Sequence, residues 1–235
     1  MDWGNLYSLL PNDLGWVAFH AAVASNEKIF VIGGLRIDGY SRDVWSMEPG
    51  DNCNDTPKWK REAYLNIGLS NHSATIVTLE SGQQFIYVVG GHEDQSSGLS
   101  NSVQVAPIEP NGDLGAWRTV SVLDAVSGLQ RHKIITAGGF LYVIGGSTSL
   151  TITTSLNTIF RARIEENGNL GPWEKLNNLP YSVHSHAVAV AGSGQIYIIG
   201  GDANKDSFYQ ELFYTPLAWL TKSVEPSAEV FAGDQ

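Results

Sequence analysis

The 235-residue chain carries 14 Lys and Arg against 24 Asp and Glu, a net charge of −10. This balance argues against nucleic acid and anionic membrane as partners, since both are held by basic side chains. Only 16% of residues are charged while 43% are hydrophobic and 10% aromatic, which is the reverse of a disordered composition. No uncharged apolar stretch reaches the ~18 residues of a spanning helix, so no membrane insertion is expected. The start Met1-Asp2-Trp3-Gly4-Asn5 lacks the basic and apolar regions of a signal peptide. A lone Cys53 has no internal partner, and the compartment, cytoplasmic or cell-surface and secreted, stays open.

In chain order, Trp3 to Leu10 reads as an outer strand with no partners before it. A repeat follows, first at about 16–65. Here His20 precedes the small-residue strand Ala21-Ala22-Val23-Ala24, and the wholly apolar Ile29-Phe30-Val31-Ile32 ends in Gly33-Gly34. A third strand lies around Asp43-Val44-Trp45 and a fourth carries Trp59. The second copy, about 69–123, has His72, Ile86-Tyr87-Val88-Val89-Gly90-Gly91, Ser102-Val103-Gln104 and Trp117. In the third, about 128–179, stand His132, Leu141-Tyr142-Val143-Ile144-Gly145-Gly146, Thr158-Ile159-Phe160 and Trp173. The fourth, about 183–224, has His186, Ala187-Val188-Ala189-Val190, Ile196-Tyr197-Ile198-Ile199-Gly200-Gly201 and Glu211-Leu212-Phe213. Its outer hairpin is shortened, because Leu212 to Trp219 is half the distance of Ile159 to Trp173. Residues 225–235 read as a polar tail.

Glycine pairs and tryptophans recur every 55–58 residues, and the histidines keep the same order. A strand that is apolar at every position needs cover on both faces. A four-stranded antiparallel unit repeated in tandem finds that cover against its own copies, and radial stacking achieves this while leaving short edges. Small residues suit first strands converging on an axis, and a large tryptophan suits the wedge between outer strands. Asn111-Gly112 and Asn167-Gly168 suit the positive φ of tight hairpins. Helical periodicity is absent. The expectation is an all-β chain, a β-propeller of four-stranded antiparallel blades.

From Trp3 to about Trp219 these features resemble the kelch repeat family, with the stretch Pro107 to Trp117 similar to its bacterial form. The resemblance implies a kelch-like β-propeller. Family members use six or seven blades, so about four blades here imply an incomplete ring. The alternative, in which the Trp3 to Leu10 strand completes the last blade and closes a small ring, stays open. Kelch enzymes include a copper oxidase and a sialic acid mutarotase. The oxidase needs a cysteine near tyrosines, and Cys53 lies in an outer hairpin at the wrong end. The mutarotase needs a full six-bladed ring.

The loops after Gly-Gly differ in every copy, and variable loops on a rigid scaffold carry recognition. They supply Arg36, Asp38, Tyr40, His92, Glu93, Asp94, Asp202, Asn204 and Lys205 as ligand-binding candidates. Glu93-Asp94 reads as an acid–base pair or as plain solvated charge. Counting four back from each histidine gives Trp16, Gly68, Gly128 and Ser182, with Tyr181 one position earlier. Trp16 and Tyr181 are therefore aromatic candidates for stacking on sugars or clamping peptides. Alternatively, Trp16 covers a bare end flank. A metal needs three or four convergent ligands, whereas one histidine per unit is spread out, so the periodic histidines read as packing residues. His184-Ser185-His186 places two imidazoles on one strand face. The run Asp51 to Asp55 lacks the spacing and closing Glu of a calcium loop.

No phosphate-cradling loop, nucleophile elbow or cysteine pair is present. The sequence reads as a non-enzymatic binding module for a protein or glycan, with no cofactor or metal. Self-association or further blades through exposed end flanks is a corollary. The alternatives are a sugar-modifying enzyme of the mutarotase type and a structural spacer.

Overall fold

The computed structural model describes residues 15–25, 28–49, 58–93, 98–151, 154–191, 195–204, 207–208 and 212–216. The expected strand at 3–10, the Asp51 to Asp55 run with Cys53, Asp94, Lys205, Trp219 and the tail at 225–235 fall outside the described residues. Every regular element among the described residues is a β-strand, and every strand pairing is antiparallel. The chain is all-β, in antiparallel sheets of two to five strands.

Four larger sheets follow one another along the chain. The first unit contains β1 (Ala21–Ala24), β2 (Ile29–Ile32), β3 (Leu35–Arg36), β4 (Gly39–Tyr40), β5 (Val44–Glu48) and β6 (Lys58–Arg61). Its sheet runs β1-β2-β5-β6, with β3-β4 a separate small hairpin. The second unit contains β7 (Leu69–Ser70), β8 (Ser73–Thr78), β9 (Gln84–Glu93), β10 (Leu99–Ile108) and β11 (Arg118–Val122). Here β9 pairs with β7, β8 and β10, and β10 with β11. The third is β12 (Lys133–Ala137), β13 (Phe140–Ile144), β14 (Ile159–Arg163) and β15 (Glu174–Lys175), in that spatial order. The fourth contains β16 (Ala187–Val190), β17 (Gln195–Ile199), β18 (Asp202–Asn204), β19 (Ser207–Phe208) and β20 (Leu212–Pro216), with its sheet running β16-β17-β20.

Three details differ from the sequence reading. In the second unit the apolar strand does not stop at Gly90-Gly91 but continues to Glu93, because Leu99 and Ser100 extend β10 to pair with His92 and Gly91. Of the periodic tryptophans, Trp59 lies within a strand while Trp117 and Trp173 stand just before theirs. His184 and His186 do not share a strand face. Ser185 between them is in the left-handed region (φ 56°), outside any strand, and sends the two rings to different surroundings.

Alternation along the apolar strand feeds two different cores. Ile86 and Val88 of β9 pack with Phe30, Ile32 and Trp117 between the first and second units. Phe85, Tyr87 and Val89 of the same strand pack with Leu141 and Val143 between the second and third. Tyr142 and Ile144 then meet Ile196 and Ile198 between the third and fourth. The first strands also touch in sequence, β1 to β8, β8 to β12 and β12 to β16.

The glycine pair and the histidine form one recurring joint. Gly90 and Gly91 have φ of 58° and 107°. A Cβ on Gly90 would stand 2.6 Å from the Leu129 carbonyl oxygen and 2.9 Å from Cε1 of His132, in the following unit. A Cβ on Gly91 would stand 2.8 Å from Cβ of His72, in its own unit. His72, His132 and His186 thus each sit between the second glycine of their own unit and the first glycine of the unit before. Hydrogen bonds reinforce the joint: Gly34, Gly91 and Gly146 donate to the carbonyls of Leu69, Leu129 and Val183, each in the next unit.

A second recurrence was silent in the sequence. Phe19, Asn71, Arg131 and Ser185, each just before a periodic histidine, all have positive φ. The Asn71 amide donates to the Phe19 carbonyl, Arg131 to Asn71 and Ser185 to Arg131, each at 2.9 Å. A backbone relay therefore runs through all four units.

Candidate binding cleft

The β3-β4 hairpin closes over Ile37 and Asp38, with Leu35 opposite Tyr40 and Gly39 at φ 123°. Between this hairpin, the approach to β5 and the end of β6 lies a cleft of about 560 Å³. Its walls carry Arg36, Arg42 and Arg61, Asp38 and Asp43, and the two phenols of Tyr40 and Tyr64. Three arginines stand here against two aspartates, in a chain whose net charge is −10.

The arginines are held in different ways. The Arg36 guanidinium donates from Nη1 to Asp43 Oδ2 at 3.0 Å, and its Nε stands 3.4 Å from Asp38 Oδ1. Arg42 is exposed, and its Nε donates to the Leu65 carbonyl at 2.6 Å. Arg42 is one of the cleft's lining residues. Arg61 lies 4.8 Å above the Trp45 ring, and its Nη1 is 3.4 Å from the Tyr64 hydroxyl. Paired carboxylates and a cation–π platform fix the positions of polar groups that water would otherwise leave mobile.

Behind the hairpin, Tyr40 reaches into the second unit. Its hydroxyl is 2.6 Å from His92 Nδ1, and the two rings meet edge to face at 4.8 Å. The backbone of Tyr40 also lies so close to Gly68 that a Cβ there would collide with it. Gly128 stands in the same relation to Leu99. This explains two of the glycines at the position occupied by Trp16 in the first copy.

Of the sequence candidates, Arg36, Asp38 and Tyr40 line the cleft, and His92 joins them through Tyr40. Glu93 ends β9 opposite Leu69, half-buried, outside the cleft wall. Asp202 belongs to a separate cluster in the fourth unit, where its carboxylate is 4.0 Å from His184 Nε2 and Ser155 Oγ is 3.0 Å from His184 Nδ1. Burial lowers the pKa of His184 despite the nearby carboxylate. Asn204 ends β18 opposite Ser207. Trp16 is 97% exposed, and Tyr181 is exposed ahead of the fourth unit. Neither aromatic lines the cleft.

Sequence reasoning missed Arg42, Asp43, Arg61 and Tyr64. A signal existed for Tyr64: counting five on from the periodic tryptophan gives Tyr64, Val122 and Asn178, so only the first copy is aromatic there. The arginines had no such mark, because the pairing of Trp45 with Arg61 is a matter of register.

His72, His132 and His186 are buried, and none of their ring nitrogens has a hydrogen-bond partner of normal geometry. Burial pushes their pKa values down, to about 4 for His72 and about 3 for His132 and His186. Neighbouring histidines add to the depression, while backbone groups of Ile32 and Val89 partly offset it for His72 and His132. They are neutral packing groups at neutral pH. Among the described residues no cluster of three or more His, Cys, Asp or Glu side chains is placed to hold a metal. No helix among them is long and apolar enough to cross a membrane. Neither a protein-family model nor a curated protein sequence matches the chain.

Proposed function

We propose that the four units are consecutive kelch-type blades of a β-propeller, and that the array is a non-enzymatic binding module that takes a glycan or a protein segment in the Arg36–Tyr40–Tyr64 cleft. Radial stacking is supported by the sequential contacts of the first strands and by a backbone relay that steps once per unit. The observation that carries the binding reading is the cleft itself. It gathers three arginines, two carboxylates and two phenols, several of which depart from the repeat where packing gives no reason to. Arginine forks suit carboxylates, and phenols suit sugar faces or peptide backbones.

The test is a glycan and peptide array probed with the wild-type chain and with Arg42→Ala and Tyr64→Ala. Both side chains are exposed, so both variants should keep the melting temperature within a degree or two while losing at least about tenfold in binding. Trp16→Ala should leave this binding unchanged. Binding that survives both cleft substitutions would place recognition elsewhere. An array without any ligand would favour the structural spacer, and conversion of a bound sugar would favour the enzyme.

A further inference from the structure

The joint between units is made three times among the described residues, and each half of it is present once more with no complement described. At the fourth unit, Ile199 is 48% exposed, although its counterparts Ile32, Val89 and Ile144 are buried. The Gly201 amide, unlike those of Gly34, Gly91 and Gly146, donates to no described carbonyl, and neither does any described amide donate to the Ser185 carbonyl. At the first unit the reciprocal groups stand open. His20 is exposed where the other three periodic histidines are buried, and the Phe19 amide has no acceptor among the described residues. Trp117 and Trp173 donate from Nε1 to Ala63 and to Ser121 Oγ in their preceding units, whereas Trp59 Nε1, although buried, has no hydrogen-bond partner among the described residues.

The two flanks are therefore the two halves of one interface, matched donor to acceptor. We propose that they are filled by a second copy of this chain, docked head to tail, so that the fourth unit of each copy packs on the first unit of the other. The Phe19 amide of one copy then continues the relay to the Ser185 carbonyl of its partner, and the Gly201 amide reaches the Val17 carbonyl as Gly34 reaches Leu69. A two-fold axis makes both seams at once and leaves no open flank, and the doubled array stays within the blade numbers that propellers use. The seam differs from the internal joints at one place. Trp16 stands where Gly68 and Gly128 lie beneath a neighbouring loop, so it supplies an aromatic anchor that the internal joints lack.

This inference rests on radial stacking, and one experiment separates the two. Sedimentation gives the mass of the 235-residue chain, and amide exchange is followed at Phe19, Asn71, Arg131 and Ser185. The expected result is a particle of two chains in which the Phe19 amide is as protected as the other three. Ile199→Asp and Val31→Asp, on opposite sides of the seam, should each raise the dissociation constant at least about tenfold and expose the Phe19 amide alone. Ile37→Asp, on the exposed hairpin tip, should change neither. A single-chain mass with Asn71, Arg131 and Ser185 still protected, or a dimer indifferent to both seam substitutions, overturns the second copy and leaves the stacking intact. Rapid exchange at those three amides removes the stacking, and the inference with it.

Discussion

The strand before Gly-Gly is almost equally apolar in all four copies, yet its burial differs between the middle of the chain and its ends. In the second and third units Ile86 to Val89 and Leu141 to Ile144 are buried at every position. In the first unit burial alternates, with Phe30 and Ile32 buried and Ile29 and Val31 only partly so. The fourth shows the same alternation in opposite phase relative to the glycines, with Ile196 and Ile198 buried and Tyr197 and Ile199 less so. Identical chemistry thus has different energetic weight according to whether a unit has one neighbour or two. In a repeat array stability is a sum of intrinsic terms and nearest-neighbour terms, and the end units lack one of the latter.

Acid should break the comparison most strongly, because the three buried histidines all belong to joints that have been made. An unfolded histidine titrates near 6.5, whereas burial holds His72 near 4 and His132 and His186 near 3. Between those values the unfolded chain binds more protons than the folded one. The contribution is complete above about pH 6.5 and is lost as pH falls towards 4 for His72 and towards 3 for His132 and His186, at roughly 1 kcal/mol per pH unit for each histidine. Urea melts from pH 7.5 to pH 4.5 should lose several kcal/mol, and His132→Phe should flatten the slope. A stability independent of pH over that range would mean the rings are not buried.

Next in size are the wedge tryptophans. Trp117 is buried between two units and donates to Ala63, so Trp117→Ala should cost about 3–5 kcal/mol in denaturant melts. Trp59→Ala, measured in dilute chain where no described unit precedes it, should cost about half of that or less. Equal losses would erase the distinction between ends and middle.

The apolar strand gives a finer contrast. Ile144→Ala removes a fully buried side chain and should cost about 2–5 kcal/mol. Ile199→Ala, measured in dilute chain, should cost under about 1 kcal/mol. Smallest of all is Trp16→Ala, whose side chain is 97% exposed in the single chain, and in dilute chain the melting temperature should not move.

Much of the fold was legible because the repeat writes its own constraints into residue types. Ala21–Ala24 and Ala187–Val190 are strands with the bounds read from sequence, and Gly112 and Gly168 take the positive φ that their Asn-Gly turns require. The packing role of the histidines followed from their even spread, and their place against the glycine pairs supplies the reason. The relay at Phe19, Asn71, Arg131 and Ser185 was invisible, since four unlike side chains adopt one backbone conformation for the sake of main-chain bonds. Half of the cleft was read from loop variability, through Arg36, Asp38 and Tyr40. The other half, Arg42, Asp43, Arg61 and Tyr64, depends on which strand ends the register brings together, and a repeat pattern carries no such information.

One interface, repeated, joins the successive units, and the proposed radial stacking depends on it. Amide exchange at Asn71, Arg131 and Ser185 tests it most directly, because these loop amides, each in the left-handed region, have no reason for protection except the carbonyl of the unit before. Exchange as slow as that of the strand amides of Tyr87 and Val143, and governed by global unfolding, is the expected result. Exchange at the rate of the exposed β3-β4 turn would contradict it.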